Sequence, residues 1–200
     1  MKKIVVSAFA ALVAGGAMAA WSPVGVGIVA PAQLPYMSSD VLGVRLNCLL
    51  SRNEDVWGLD IGLAGVAHGS EYALQCGLFD VVYGDSAGFQ IAGVGYNGGM
   101  FAGLQVAGLC SWNGLAAYGV QISAVNADQT EFHGLSFGAL NYADALTGGQ
   151  IGFLNLADSV YGVQIGCINA CDKMDGLQLG LVNLISSSRL PVMVLANAWF

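Results

Sequence analysis

Charge is scarce in this 200-residue chain. Only 10% of its residues are charged, and Lys plus Arg number six, where an ordinary soluble domain is about 25% charged. With 13 acidic residues and a net charge of −7, the chain is repelled by phosphate backbones and anionic headgroups, which excludes a nucleic-acid partner. Histidine is nearly absent. His68 and His133 lie far apart in the chain, and neither has a nucleophile, base or metal-ligand partner at a recognisable spacing. Proline occurs four times and glycine 29 times, a balance that disfavours long helices. Length alone bounds the chain to one domain. What it has in abundance is apolar residues, 56% of the total, which excludes disorder.

The first residues form a compact motif. Lys2 and Lys3 precede an apolar stretch from Ile4 to Val13, and Ala17-Met18-Ala19 supplies small residues at a cleavage site. This is the layout of a secretory signal peptide spanning 1–19, so export to the cell envelope or cell surface of a bacterium is expected. The stretch is too short to span a bilayer, and no later run approaches the ~20 apolar residues of a spanning helix. Five cysteines follow: Cys48, Cys76, Cys110, Cys167 and Cys171. They have no zinc-type spacing. The pair Cys167 and Cys171 is open to bridging, but the expectation is five small buried apolar residues.

One phrase recurs along the rest of the chain: Gly, apolar, Gln, apolar, small, variable, apolar, Asn. It is clearest at Gly148–Asn155, Gly162–Asn169 and Gly176–Asn183. Weaker copies begin at Gly43, Gly58, Ala73, Gly88, Gly103, Gly119 and Gly134, so the starts recur at a nearly constant interval from first to last. Such regularity defines a ten-unit array over 43–183, preceded by a lead-in strand and cap over 20–42 and followed by a closing strand over 184–200. Apolar second and fourth positions around a polar third have the period of a strand. The small fifth position, followed by an apolar seventh on the other parity, marks a break of face. The rest of each unit is turn-like, as in Ser51-Arg52-Asn53-Glu54-Asp55. No unit buries its apolar positions alone, so stacking of units must bury them.

Three all-β closures compete. Strand–kink–strand hairpins side by side make a shallow ring or barrel, which removes exposed edges and accounts for a period of one unit. A parallel β-solenoid also has that period, and it stacks Gln and Asn into ladders. In an up-and-down outer-membrane β-barrel each unit is one strand plus a turn, and the closing strand ends on Phe200. The hairpin ring is the leading expectation. The unit, with Trp57-Gly58-Leu59-Asp60-Ile61-Gly62 and the lead-in Ala32-Gln33-Leu34-Pro35, is similar to the tandem repeats of bacterial surface-repeat proteins. That resemblance implies a β-flower, a ring of hairpins, and brings no catalytic residue with it. The spacing Gln150-x-Gly152-x-x-Asn155-x-Ala157 also resembles the repeat of curli-type amyloid subunits.

The residues that matter are therefore the repeat positions: Gln150, Gly152, Asn155, Gln164, Gly166, Asn169, Gln178, Gly180 and Asn183. Their amides are read as structural, since a buried amide must be paired and a ladder of neighbours pairs it. The turn carboxylates Asp80, Asp85, Asp128, Asp144, Asp158 and Asp172 share no single unit position and read as a solvated rim, not a calcium site. Gly93, Gly95, Gly98 and Gly99 read as a flexible connection. Trp57, Tyr72, Trp112, Tyr118 and other aromatics fall in or beside the connections, as in an interfacial belt or at the wet ends of a stack. No enzyme, metal or cofactor is expected. The functional expectation is a structural, surface-interacting or lipid-associating envelope scaffold, with a small barrel pore or a self-assembling curli-like subunit as alternatives.

Overall fold

The computed structural model describes residues 21–199, so the leader expected over 1–19 lies outside the described residues. The described chain contains strands and turns and no helix. Ahead of the repeats stand β1 (Trp21–Val29) and β2 (Ala32–Leu34). The earlier repeats form β3 (Asp40–Asn53), β4 (Val56–Gly62), β5 (Ala64–Ala67), β6 (Glu71–Cys76), β7 (Phe79–Val82), β8 (Ser86–Asn97), β9 (Phe101–Asn113) and β10 (Ala117–Ile122). The later repeats merge into one run, β11 (Val125–Ile185), and β12 (Val192–Trp199) follows.

Repeat pairs with repeat in parallel, each residue opposite its own counterpart. Gly43 lies opposite Gly58, Gly58 opposite Ala73, and Gln75 opposite Gln90, which in turn faces Gln105. A second set of strands pairs Ser51 with Gly65 and Gly65 with Asp80. Each repeat is therefore one coil of a two-faced parallel β-solenoid, with coils about 4.8 Å apart along the axis. Positions one to four form the first face and the Asn-centred segment forms the second. The change of face falls at the small residue, as at Gly62-Leu63 and Gly77-Leu78; we call this the first bend. The return bend, such as Tyr83-Gly84-Asp85, leads to the next coil.

The all-β repeat expectation holds, and of the three closures it is the parallel solenoid that the chain adopts. A hairpin ring or an up-and-down barrel needs antiparallel neighbours. Among the described residues only β2 on β1 and β12 on β11 run antiparallel. The physical reason lies in the repeat itself. Parallel in-register pairing is the arrangement that puts Gln on Gln and Gly on Gly in every coil.

Burial by stacking also takes a different form from the one anticipated. The apolar second and fourth positions face outward, with Leu135 at 45%, Phe89 at 56% and Ile91 at 48% exposure. The apolar interior lies instead beside the return bend. There Phe101, Ala117, Phe132, Leu146, Val160 and Met174 of the first face meet Ala143, Ala157, Cys171 and Ile185 of the second. A smaller cluster of Val41, Val56, Ala67 and Val82 continues it through the first coils.

Three local expectations are corrected. Only Cys171 among the cysteines is buried, and all five are free. Cys167 sits at the first bend and Cys171 further along the strand, about 13 Å away, beyond disulfide reach. Gly93 and Gly95 belong to β8, and only Gly98 and Gly99 are connection. Finally, Asp80 and Asp128 do not belong to a solvated rim: both are buried in the interior, while Asp158 and Asp172 are exposed at the bends.

Two glycine columns set how closely the coils approach. The first glycine of the repeat has positive φ, +143° at Gly162, and a Cβ there would overlap the Gly148 carbonyl oxygen and lie 2.9 Å from its carbon. At the fifth position a Cβ on Gly166 would overlap the Gly152 carbonyl oxygen and lie 2.6 Å from Asn155 Nδ2. Gly152→Val and Gly166→Val should each lower the urea midpoint by the equivalent of about 3 kcal/mol or more, since backbone cannot yield as a side chain does. Gly162→Ala should be costly too, because it adds φ strain to the clash. Asp158→Asn in the exposed bend should stay within about 0.5 kcal/mol. Parent-like midpoints for the glycine variants would contradict the close approach of the coils.

Candidate functional site

The side chains that recur are those that point into the solenoid on the first-bend side. Gln150, Gln164 and Gln178 project from the first face, and Asn155, Asn169 and Asn183 from the second, all at most 1% exposed. Gln178 Nε2 donates to Gln164 Oε1 at 2.8 Å, and Gln164 Nε2 to Gln150 Oε1 at 2.9 Å. On the other face Asn141, Asn155 and Asn169 each donate through Nδ2 to Oδ1 of the next coil's Asn at 2.8 Å. The second Nδ2 proton has a partner as well, the Ile165 carbonyl for Asn155 and the Leu179 carbonyl for Asn169. The Gln column donates toward the N-terminus and the Asn column toward the C-terminus, so their dipoles oppose. Gly152, Gly166 and Gly180 lie between the two columns at the bend, and their lack of a side chain leaves room for the Asn amides.

The middle coils use the same logic with more varied residues. Asn113 Nδ2 donates to Gln105 Oε1 and Asp128 Oδ1, and Gln121 Nε2 also donates to Asp128 Oδ1 at 2.8 Å. Burial nevertheless pushes the Asp128 carboxyl up to about 6.

In the first coils charge replaces amide. Arg45 and Asp60 occupy the third position and form a bidentate pair, Nε to Oδ1 at 2.8 Å and Nη2 to Oδ2 at 2.5 Å. Arg45 Nη1 also donates to the Val66 carbonyl. Burial pulls the Arg45 guanidinium down, but Asp60 more than offsets this and holds it above its ordinary value. Glu71 lies 3.6 Å from Arg45 Nη2, fully buried, with Gln75 of its own strand beside it. One guanidinium thus faces Asp60, Glu71 and Asp80. Burial raises Glu71 to about 8, and burial together with Asp60 raises Asp80 to about 7. This cluster was missed in the sequence. Its signal was there: Arg45 and Asp60 sit in the slot that later repeats give to Gln.

The outside carries the complementary columns. On the first face Trp57 packs against Tyr72 at a tilt of 43°, centroids 4.6 Å apart, and Tyr118 stacks on His133 at 4.9 Å, in the column before the unit's first position. On the second face Tyr96, Trp112 and Tyr142 take the position beside the Asn. Tyr142 Oη donates to Asp144 Oδ1 at 2.6 Å, a bond that pushes its phenol up to about 12. His68, at a return bend, stacks on Tyr83 at 5.5 Å. The histidines thus rest on aromatic neighbours in separate columns, and the structure does not bring them together. Among the described residues no group of His, Cys, Asp and Glu is arranged to hold a metal ion.

The fold and its interior define a two-faced parallel β-solenoid cored by amide columns. The chain matches no protein-family model, no curated protein and no solved structure.

Two measurements test the interior. Gln164→Leu should cost about 1–3 kcal/mol in urea unfolding, because it strands the Gln178 donor and the Gln150 acceptor; a neutral effect would deny the column an energetic role. Stability should also fall with pH. The raised carboxyls of Glu71 and Asp80 bind protons in the fold that the unfolded chain releases near pH 4 to 5. Their contribution is complete below that range and lost as pH rises toward about 8. The urea midpoint should therefore drop between pH 5 and pH 8.5, and Glu71→Gln should flatten the drop.

Proposed function

We propose that the protein is an exported, non-enzymatic scaffold of the bacterial cell envelope, a rigid β-solenoid that acts by presenting surface to lipid or to another envelope component. The observation that carries this reading is the inversion of polarity. Amides and several carboxylates are turned inward, while the outward columns are aliphatic and aromatic over most of the array. Leu46, Ile61, Ile91, Ile122, Ile151 and Ile165 make one such column, each 39–48% exposed. Contiguous exposed apolar area on this scale marks an interaction surface. The leader expected over 1–19 and the surface-repeat resemblance support the address.

Assembly by end-to-end stacking, as in a curli-like fibre, is favoured by the in-register coils. It is opposed by the end strands β2 and β12, which run against their neighbours. We therefore hold the scaffold reading first.

Fractionation of expressing cells tests it. After carbonate and urea extraction, the protein is expected in the membrane pellet. Recovery entirely in the soluble periplasm would overturn the envelope-surface reading.

A further inference from the structure

The cross-section of a coil has two ends of opposite character. Beside the return bend the arrangement is that of a soluble protein. The interior is apolar, with Phe132, Leu146 and Val160, and the outside is charged, with Glu54, Asp85, Glu131, Asp158, Asp172 and Lys173 at the bends. Beside the first bend the order is reversed. The interior holds the Arg45–Asp60 pair in the first coils and the paired Gln and Asn columns in the later ones, and the outside carries Leu49, Leu63, Leu78, Leu109, Phe153 and Leu181 at the tip, exposed by 42–64%. The remaining tip positions of that column are Gly93, Ala124, Ala139 and Cys167, so no charge interrupts it.

Amides satisfied within and aliphatic side chains without is the requirement for strands in hydrocarbon, where every backbone and side-chain polar group must find a protein partner. Coil-on-coil pairing meets it for the backbone along the whole array. The aromatic columns then fall at a defined height. Trp57, Tyr72, Tyr118 and Tyr161 lie six residues from the tip on one face; Tyr96, Trp112 and Tyr142 lie three residues from it on the other. At ~3.3 Å per residue these levels are about 20 and 10 Å above the tip. They bracket the ~15 Å of hydrocarbon in one leaflet, at whose boundary Trp and Tyr prefer to sit. The acidic return bends stand above that level, in water.

We propose that the solenoid lies with its axis in the membrane plane and inserts its first-bend edge into the hydrocarbon of a single leaflet. The aromatic columns mark the interface, and the row of return bends faces the aqueous phase. The occupant of the apolar edge is thus the acyl interior of a lipid layer. The tip carries no cation to recruit a headgroup, so attachment does not depend on anionic lipid. The inference rests on the envelope-scaffold reading and specifies which edge of the molecule meets lipid, and how deeply.

The experiment is flotation of the purified protein with phosphatidylcholine vesicles, at low and at high salt. Binding is expected at both, with weaker binding to vesicles containing phosphatidylglycerol. Leu109→Asp and Phe153→Asp should each reduce the bound fraction at least tenfold, while Asp158→Asn at the return bend leaves it unchanged. Phe153→Ala, with its milder change, should give an intermediate loss, and urea unfolding of every variant identifies any that fail to fold. For depth, Phe153→Trp in a chain whose own tryptophans are Phe should be quenched most by bromine deep in the acyl chain. Chains that keep only Trp57 or only Trp112 should respond most to shallow bromine.

Vesicle binding that ignores the tip charges, or a tip tryptophan quenched only near the headgroups, would overturn the insertion while leaving the scaffold reading in place. Absence of all vesicle binding, with a dimer that the tip charges dissociate, would overturn it in favour of a second copy as the occupant. Absence of vesicle binding together with recovery in the soluble periplasm would remove both.

Discussion

Everything in this structure depends on one coil lying in register on the next, about 4.8 Å away. At that spacing a side-chain amide meets its own copy at hydrogen-bonding distance, donor to acceptor, and a run of copies satisfies itself without water. The Asn141–Asn155–Asn169–Asn183 column shows how complete this arrangement is: each internal member accepts one bond and donates two. A buried amide is costly when unpaired and cheap when paired. The interior can therefore be polar, and once it is polar the aliphatic residues of the same strands have only the outside to occupy. The same register demands glycine where backbone meets backbone. The two glycine columns and the two amide columns are thus a single constraint, seen at different positions of the repeat.

Much of this was legible in the sequence. The nearly constant interval between repeat starts, the strand period around Gln164 and the break of face at Gly166 all follow from reading residues in order. What alternation does not reveal is which parity points inward. The usual assignment puts apolar residues inside, and for Ile151 and Leu135 that assignment fails. It fails because the compensation available to Gln depends on whether neighbours run parallel, and alternation within one strand is blind to its neighbour's direction. A ring of hairpins would set Gln164 across from a non-equivalent residue, and then the apolar parity would have to be buried. The discriminating signal was the recurrence of Gln at the same slot in coil after coil, which only in-register stacking rewards. The Arg45–Asp60–Glu71 cluster was harder to see, because it consists of departures from the motif in its least regular copies.

Those departures have an internal logic. A column of identical amides has no preferred place along it: sliding the stack by one coil restores every contact. The charged first coils, the mixed Asn–Gln–Asp coils in the middle and the regular late coils differ from one another. A one-coil slip would set Arg45 against Gln75 in place of Asp60, leaving a buried charge unpaired. Irregularity in the first half of the array therefore serves the uniqueness of the fold, as single polar residues do in coiled coils.

The reversed strands at the two ends have a further consequence. A stack of like coils has no intrinsic reason to stop, and each exposed edge is a template for another. Here the last array coil is covered by β12, whose antiparallel pairing sets Asn197 against Gln178 and Ala198 against Leu177. At the other end β2 doubles back on β1 in the same sense. An incoming parallel coil would meet a reversed strand along Gly176–Leu184 at one end and beside Val26–Val29 at the other. The amide columns thus end against a strand of opposite direction instead of at an open edge.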